Sequence, residues 1–367
     1  MVEAQNGDNA GNFRQLIRDR ISRRIQGHGQ GPGQGSGLGP GLGQGQGTTT
    51  AGFVPPAGAQ ESAMHADPLH DDDDDDDSNS ETPSTTMPPS TAMPPPPRVT
   101  GALVDDERTG SDGSTQKTKI AGLSVAVWKP TKPGVHAPYP TVIFSHGFHG
   151  SCTQSKFLMK ALAAAGYLVI SPNHKDAMGI HGSFQARPEL PFRKVDQWSD
   201  STFKYRHDDI VNLIQGLKES PQWKSQIDWS RLGLAGHSLG GYTVLGLAGA
   251  WPSWKIPGVK AILALSPYCA PFSYTHSLGT LNIPVMYQGG TRDFGITPTV
   301  KKPGGAYEQT GSPAYFVEFD KMGHFAWSDF NHSKPLQDLI DHYAVAFFNK
   351  YVLGEASTTL VEKLPGV

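Results

Sequence analysis

Residues 231–250 read R-L-G-L-A-G-H-S-L-G-G-Y-T-V-L-G-L-A-G-A, and Gly236-His237-Ser238-Leu239-Gly240 within them fits G-x-S-x-G. The pattern has meaning only between a strand and a helix. R-L-G-L-A before it reads as a strand, and Y-T-V-L-G-L-A-G-A after it reads as a helix. A strand that turns sharply into a helix holds the serine at the tip in a strained conformation, and small residues on either side let the two backbones approach. The new helix N-terminus points free N–H groups to where negative charge develops. Ser238 is therefore the candidate nucleophile. The alternative, a chance match in a Gly-rich chain, is disfavoured by the strand–turn–helix context.

Outward from this turn the chain alternates apolar runs with helical patterns. Residues 120–128 and 140–145 read as strands, 155–165 as a helix, and 167–171 as a buried strand. Ile210, Leu213, Ile214 and Leu217 follow helical spacing within residues 205–217. Residues 231–235, 259–265, 284–288 and 314–319 are further short strands, and Leu336, Leu339, Ile340, Tyr343 and Phe347 share one face of a last helix. Such alternation predicts an α/β fold, a mostly parallel sheet with helices on both faces. Chemistry in such folds lies beyond the carboxyl ends of the strands.

On the elbow, its flanks and this alternation, residues 119–352 resemble the α/β-hydrolase superfamily. The resemblance implies two backbone oxyanion donors. One belongs to the turn Ser145-His146-Gly147-Phe148-His149-Gly150 after the strand P-T-V-I-F, which by position is Phe148; the other is Leu239, the residue after the nucleophile. The base is expected late in the chain, after the last strand. His324, in Gly323-His324-Phe325 after A-Y-F-V-E-F-D, is the choice; His237 lies inside the elbow, His332 and His342 fall too late, and His174 is the main competitor.

The acid is expected after I-P-V-M-Y-Q, where Gly289-Gly290-Thr291-Arg292-Asp293 follows, giving Asp293 in the order Ser, Asp, His. Dienelactone hydrolases and bacterial cutinase-like polyester hydrolases carry an acid after this strand. Asp176, Asp320 and Asp329 are the competitors. F-S-H-G, N-H-K-D, the G-H-S-x-G-G elbow and Ser328-Asp329-Phe330 after His324 also look like the platelet-activating factor acetylhydrolase family. That family places its acid after the preceding strand, which here leads into Ala264-Leu265-Ser266-Pro267-Tyr268 with no carboxylate. The resemblance is thus to the dienelactone hydrolase side of the clan.

The expected reaction is ester hydrolysis through an acyl-enzyme, with no cofactor and no metal. Substrates are expected among small-molecule or lipid-like esters. A lipase or phospholipase, an amidase or peptidase, and a perhydrolase share the triad, and a non-catalytic binding module is the rival outside enzymes. Phe148, Phe294, Phe325 and Trp327 flank the site residues and are expected to form an apolar wall. Residues 178–203, with Phe184, Phe192 and Trp198, read equally as a partial lid or as a packed surface excursion. His146 and His149 read as structural rather than metal ligands, and Cys152 as an inert thiol.

The 367-residue chain divides in composition. Residues 1–115 hold 18 Gly, 12 Pro and only two aromatics, Phe13 and Phe53, of 34 in the chain. A segment so poor in aromatics cannot bury enough apolar area to offset its ordering entropy, so residues 1–115 are expected to be disordered and 116–367 to form one domain. Residues 1–115 carry 7 Lys/Arg against 17 Asp/Glu, and the remainder 24 against 17. Every odd residue from 27 to 47 is Gly, a flexible linker; residues 71–77 are seven consecutive Asp, read as solvated disorder rather than a calcium loop. Residues 13–25 repeat Phe13, Ile17, Ile21 and Ile25 among arginines. They read as a weak membrane-surface, partner-binding or targeting helix, or, preferably, as one too short to persist alone. The scattered positive charge of the domain gives no nucleic-acid footprint. Two Cys exclude a disulfide scaffold, and no apolar run approaches a membrane span. With no secretory signal visible, a cytoplasmic protein is expected, with organelle targeting by residues 1–25 left open.

Overall fold

Apolar runs punctuated by turns form nine strands in the computed structural model, which describes residues 108–109, 115–178, 187–311, 313–356 and 359–367. The expected disorder of residues 1–115 falls outside the described residues except at 108–109 and 115, and the helix expected at 13–25, the Gly repeat, the Asp run and Phe184 lie wholly outside them. The strands are β1 (Arg108–Thr109), β2 (Gln116–Ile120), β3 (Leu123–Trp128), β4 (Tyr139–Ser145), β5 (Leu168–Pro172), β6 (Ile227–His237), β7 (Val259–Leu265), β8 (Val285–Gly290) and β9 (Ala314–Phe319). β1 pairs with β2, so the sheet begins ahead of the boundary expected at residue 116.

The single strand expected at 120–128 is a hairpin. Ile120 pairs with Leu123, and Ala121 and Gly122 reverse the chain at φ 51° and 81°. A two-residue turn with both φ positive matches the twist of the flanking strands. Ala in the first place, where Asn or Asp is usual, hides it in the sequence.

The sheet order is β1-β2-β3-β5-β4-β6-β7-β8-β9. β5, β4, β6, β7, β8 and β9 run parallel, and β3 joins β5 antiparallel. From β4 the chain first moves outward to β5, then returns past β4 to β6 and continues to β9. The order therefore reverses between β4 and β6, the place at the carboxyl ends where open α/β sheets hold their ligands.

The helices are α1 (Lys156–Ala165), α2 (Lys204–Glu219), α3 (Leu239–Leu245), α4 (Ala270–Tyr274), α5 (Thr297–Lys301), α6 (Ala306–Gln309) and α7 (Lys334–Phe348). Alternate residues of β4 explain why both faces are covered. Val142 and Phe144 pack with Leu158 and Leu162 of α1 and Phe347 of α7, whereas Ile143 packs with Ile210 and Leu213 of α2 and Leu245 of α3. Strands buried on both sides read as continuous apolar runs for this reason. This is the α/β-hydrolase fold, with a mixed hairpin edge on an otherwise parallel sheet. No helix among the described residues is long and apolar enough to cross a membrane.

Candidate active site

The elbow follows β6 directly. Ser238 has φ 55° and ψ −116°, a left-handed φ that costs energy for a residue with a side chain and persists only where the surroundings fix it. They do so through close packing. A methyl group on Gly236 would come 2.2 Å from Gly240 O, and one on Gly240 would come 1.9 Å from Ser145 O. The backbone of Ser238 is also tied to the turn after β7: its N–H donates to Leu265 O at 3.0 Å, and Tyr268 N–H donates to its carbonyl at 2.9 Å.

His324 lies after β9, at the start of a short 3-10 turn ending at Trp327. Its Nε2 is 2.9 Å from Ser238 Oγ. Asp293 follows β8; its two oxygens lie 3.4 and 3.5 Å from His324 Nδ1. Between them stands a residue that sequence reasoning did not select. Ser266 Oγ donates a short hydrogen bond to Asp293 Oδ2 and lies 2.7 Å from His324 Nδ1. Thr297 Oγ1 donates to the same carboxylate oxygen at 3.3 Å. Burial pushes the Asp293 carboxyl up, but hydrogen bonding and charge from His324, with the Ser266 hydroxyl, outweigh it and hold Asp293 below its ordinary value.

The expected oxyanion turn lies against the elbow. A methyl group on Gly147 would fall 3.3 Å from Ser238 Cβ and 3.1 Å from His237 Nδ1. Phe148 is the next residue, and Leu239 opens α3, so both expected donors border Ser238. His237, inside the elbow, is buried and joins two parts of the site. Its Nε2–H donates to His324 O at 2.8 Å, and its Nδ1 accepts from Gln154 Nε2 at 3.0 Å. Gln154 Oε1 in turn accepts the Gly147 N–H at 3.0 Å. Burial pushes the His237 pKa down to about 3, so it stays neutral and links His324 to the 146–148 turn.

A second Ser–His–Asp string lies behind this turn. Ser145 Oγ is 2.9 Å from His174 Nε2, and His174 Nδ1 is 2.9 Å from Asp209 Oδ2. Ser145 and His174 have no exposed surface. Beside them Arg206, also fully buried, donates to Asp176 and His146 O at 2.6 and 2.8 Å. His146 Nε2 accepts the His174 N–H at 2.9 Å. Burial, then His174 and Arg206, push His146 down to about 3; burial holds His174 well below the ordinary imidazole value. This network braces the 146–148 turn from within.

The competing acids stand elsewhere: Asp176 pairs with Arg206, Asp329 faces Lys156 at 3.7 Å, and Asp320 lies beside Lys321 at 3.5 Å. Of the expected apolar wall, Phe294 is 80 % exposed and Phe325 40 %, flanking Asp293 and His324. Trp327 departs from expectation. It is fully buried, with Nε1–H donating to Gln288 at 2.9 Å, because the 3-10 turn rotates it into the core. In the described part of the 178–203 segment, Phe192 lies 6.1 Å from Phe148 and 4.9 Å from Tyr268, whose hydroxyl donates to Phe192 O at 2.5 Å. Cys152 is buried, and burial pushes its thiol up to about 11, as suits an inert side chain. Among the described residues no group of three His, Cys, Asp or Glu is placed to hold a metal ion.

Fold, elbow and likeness to known proteins together make the chain a hydrolase of the α/β-hydrolase type, in the serine hydrolase group. The Chlorophyllase family model matches residues 104–275, which include Ser238 and end before Asp293 and His324. Cutinase 2 of Thermobifida cellulosilytica is 24 % identical over 222 residues, 60 % of this chain and 71 % of that protein. Cutinase cut1 of Thermobifida fusca is also 24 % identical, and there the match spans 58 % of the relative. Among solved structures, a dienelactone hydrolase from Anabaena variabilis superposes with a TM-score of 0.46 at 16 % identity, covering 68 % of this chain and 99 % of the other. An acylaminoacyl peptidase from Pyrococcus horikoshii gives 0.48 at 16 %, covering 68 % and 42 %.

Proposed function

We propose that the protein hydrolyses carboxylic esters by acyl transfer through Ser238, His324 and Asp293. The observation that carries this reading is Ser238 itself. It stands on a strained turn at the switch point of the sheet, 2.9 Å from an imidazole whose other nitrogen faces a buried carboxylate. In the reaction Ser238 Oγ attacks the ester carbonyl carbon while its proton passes to His324 Nε2. The N–H groups of Phe148 and Leu239 receive the oxyanion, each donor contributing roughly 3 kcal/mol to barrier lowering. The tetrahedral intermediate expels the alcohol, which takes the proton from Nε2. Water then adds to the acyl-enzyme by the same route and releases the acid. The cutinase relatives and the exposed Phe294 and Phe325 beside the site support an ester with an apolar acyl group.

The test is fluorophosphonate labelling of the purified full chain, followed by a p-nitrophenyl ester series of increasing acyl length. Labelling of wild type but not of Ser238→Ala, with turnover across the series, is the expected result. A wild-type protein that stays unlabelled and inert towards every ester overturns the reading in favour of a binding module.

A further inference from the structure

We propose that Ser266 is a positioning residue that couples Asp293 to His324, so that the carboxylate holds the imidazole through an intervening hydroxyl. The proposal rests on the reading of Ser238 as the nucleophile. It starts from distances. His324 Nδ1 is 2.7 Å from Ser266 Oγ but 3.4 and 3.5 Å from the oxygens of Asp293. The nearer pair lies within ordinary hydrogen-bond range and the farther pair at its limit.

Proton placement follows from what each atom can do. For Nε2 to accept the Ser238 proton, the ring must carry its hydrogen on Nδ1. Ser266 Oγ accepts that hydrogen and donates its own to Asp293 Oδ2. When Nε2 becomes protonated during attack, the imidazolium keeps Nδ1–H on Ser266, whose hydroxyl stays directed at the carboxylate. No proton leaves Nδ1 and none is gained by Asp293. The hydroxyl transmits orientation and field, and the only transfer remains Ser238 to His324.

The fold holds Ser266 in place from three sides. It sits just beyond β7 at φ 41°, a left-handed value that a serine adopts at a cost. Its N–H donates to Gln288 O of β8, the strand that leads to Asp293, at 2.7 Å. Its neighbours Leu265 and Tyr268 are bonded to the backbone of Ser238. One short turn therefore touches nucleophile, base and acid, and Ser266 has no exposed surface. A carboxylate at this position would reach Nδ1 directly.

The experiment compares full-chain wild type with Ser266→Gly, Ser266→Ala, Asp293→Ala and the double variant Ser266→Asp/Asp293→Ala on p-nitrophenyl butyrate. Thermal melting and fluorophosphonate labelling are run in parallel. A hydrogen bond to a charged group implies a drop in kcat of about 10- to 100-fold for both Ser266→Gly and Ser266→Ala, with KM within about twofold. Glycine suits φ 41° better than serine does, so a merely structural role predicts that Ser266→Gly is tolerated. Should Ser266→Ala fail to fold, Ser266→Gly carries the test. The double variant is expected to exceed Asp293→Ala by at least about tenfold, because the carboxylate is moved rather than lost. Wild-type kcat in Ser266→Gly overturns the proposal, as does a folded double variant no faster than Asp293→Ala. An unlabelled wild type fails the ester hydrolase reading instead.

Discussion

Two Ser–His–Asp strings lie side by side in this molecule, and the serine–histidine distance is 2.9 Å in both. Ser238 sits at the strained end of β6 against a helix N-terminus, and the His324 side chain is 26 % exposed. Ser145 is the last residue of β4, in extended backbone, and neither it nor His174 has exposed surface, while the Asp209 side chain that ends the string is 19 % exposed. The hydrogen-bond pattern is thus not what distinguishes a nucleophile. Access, backbone strain and donors for an oxyanion do. Deep inside, the same three residue types satisfy one another and stiffen the turn that serves the outer set.

The sharpest way to break this comparison is to remove each serine. Ser238→Ala is expected to lower kcat by about 10⁴- to 10⁶-fold with a Tm near wild type. Ser145→Ala is expected to keep more than a tenth of the activity and to lower stability by about 1–3 kcal/mol, the cost of leaving a buried partner unsatisfied. Ester turnover and thermal melts of both variants check this; a dead but folded Ser145→Ala would reverse the roles. The acids follow. Asp293→Asn is expected to cost about 10²- to 10⁴-fold in kcat by loss of the negative charge that steadies the imidazolium through Ser266, and Asp209→Asn less than about tenfold. A larger loss for Asp209→Asn than for Asp293→Asn would transfer the role of acid to the inner string.

Arg206→Met sharpens the structural side. It leaves Asp176 buried and uncompensated, so chemical denaturation is expected to show a loss of roughly 3–5 kcal/mol. An unchanged midpoint would show that the brace is dispensable.

The smallest effect is the pH dependence. His146 and His237 drop to about 3 on folding, from ordinary values near 6.5, so their contribution is complete above pH 6.5 and is lost progressively towards pH 3. Asp209 and Asp341, each pushed up to about 7 by burial, act oppositely and lose their contribution as pH rises from about 4 to 7. The lowered carboxyls of Asp176 and Asp293 add to the loss in acid. These opposed contributions largely cancel between pH 7 and pH 5, so the Tm of wild type is expected to change little there and to fall below pH 4, and His146→Asn to fall less in acid. A wild-type Tm that drops steeply between pH 7 and pH 5, or that stays flat below pH 4, would contradict this balance.

Most of this arrangement was legible in the chain because the elbow has rigid local requirements. Gly236 and Gly240 are set by atoms two to three Å away, so the motif announces its geometry. His324 and Asp293 were reachable by chain order and strand ends. Ser266 was not, because its place between them depends on the pairing of β7 with β8, Leu265 against Gln288, and on nothing local in A-L-S-P-Y. Arg206 stands among the charged residues of K-Y-R-H-D-D, and nothing local marks it out. Only the packing of α2 beneath β4 turns it inward, to zero exposure. Trp327 was misplaced because a 3-10 turn, unlike a helix or strand, leaves no periodicity from which to assign a face.

The sheet order also governs how the site comes into being during synthesis. In the proposed roles the nucleophile Ser238 follows the interior strand Ile227–His237, whereas the base His324 follows Ala314–Phe319, which among the described residues pairs only with Val285–Gly290. A nascent chain can close its central strands and form the elbow long before the base is made. Until the edge strand docks, Ser238 Oγ lacks the His324 imidazole that stands 2.9 Å away in the folded protein. In the proposed reaction, ester turnover therefore depends on Ala314–Phe319 being docked on Val285–Gly290.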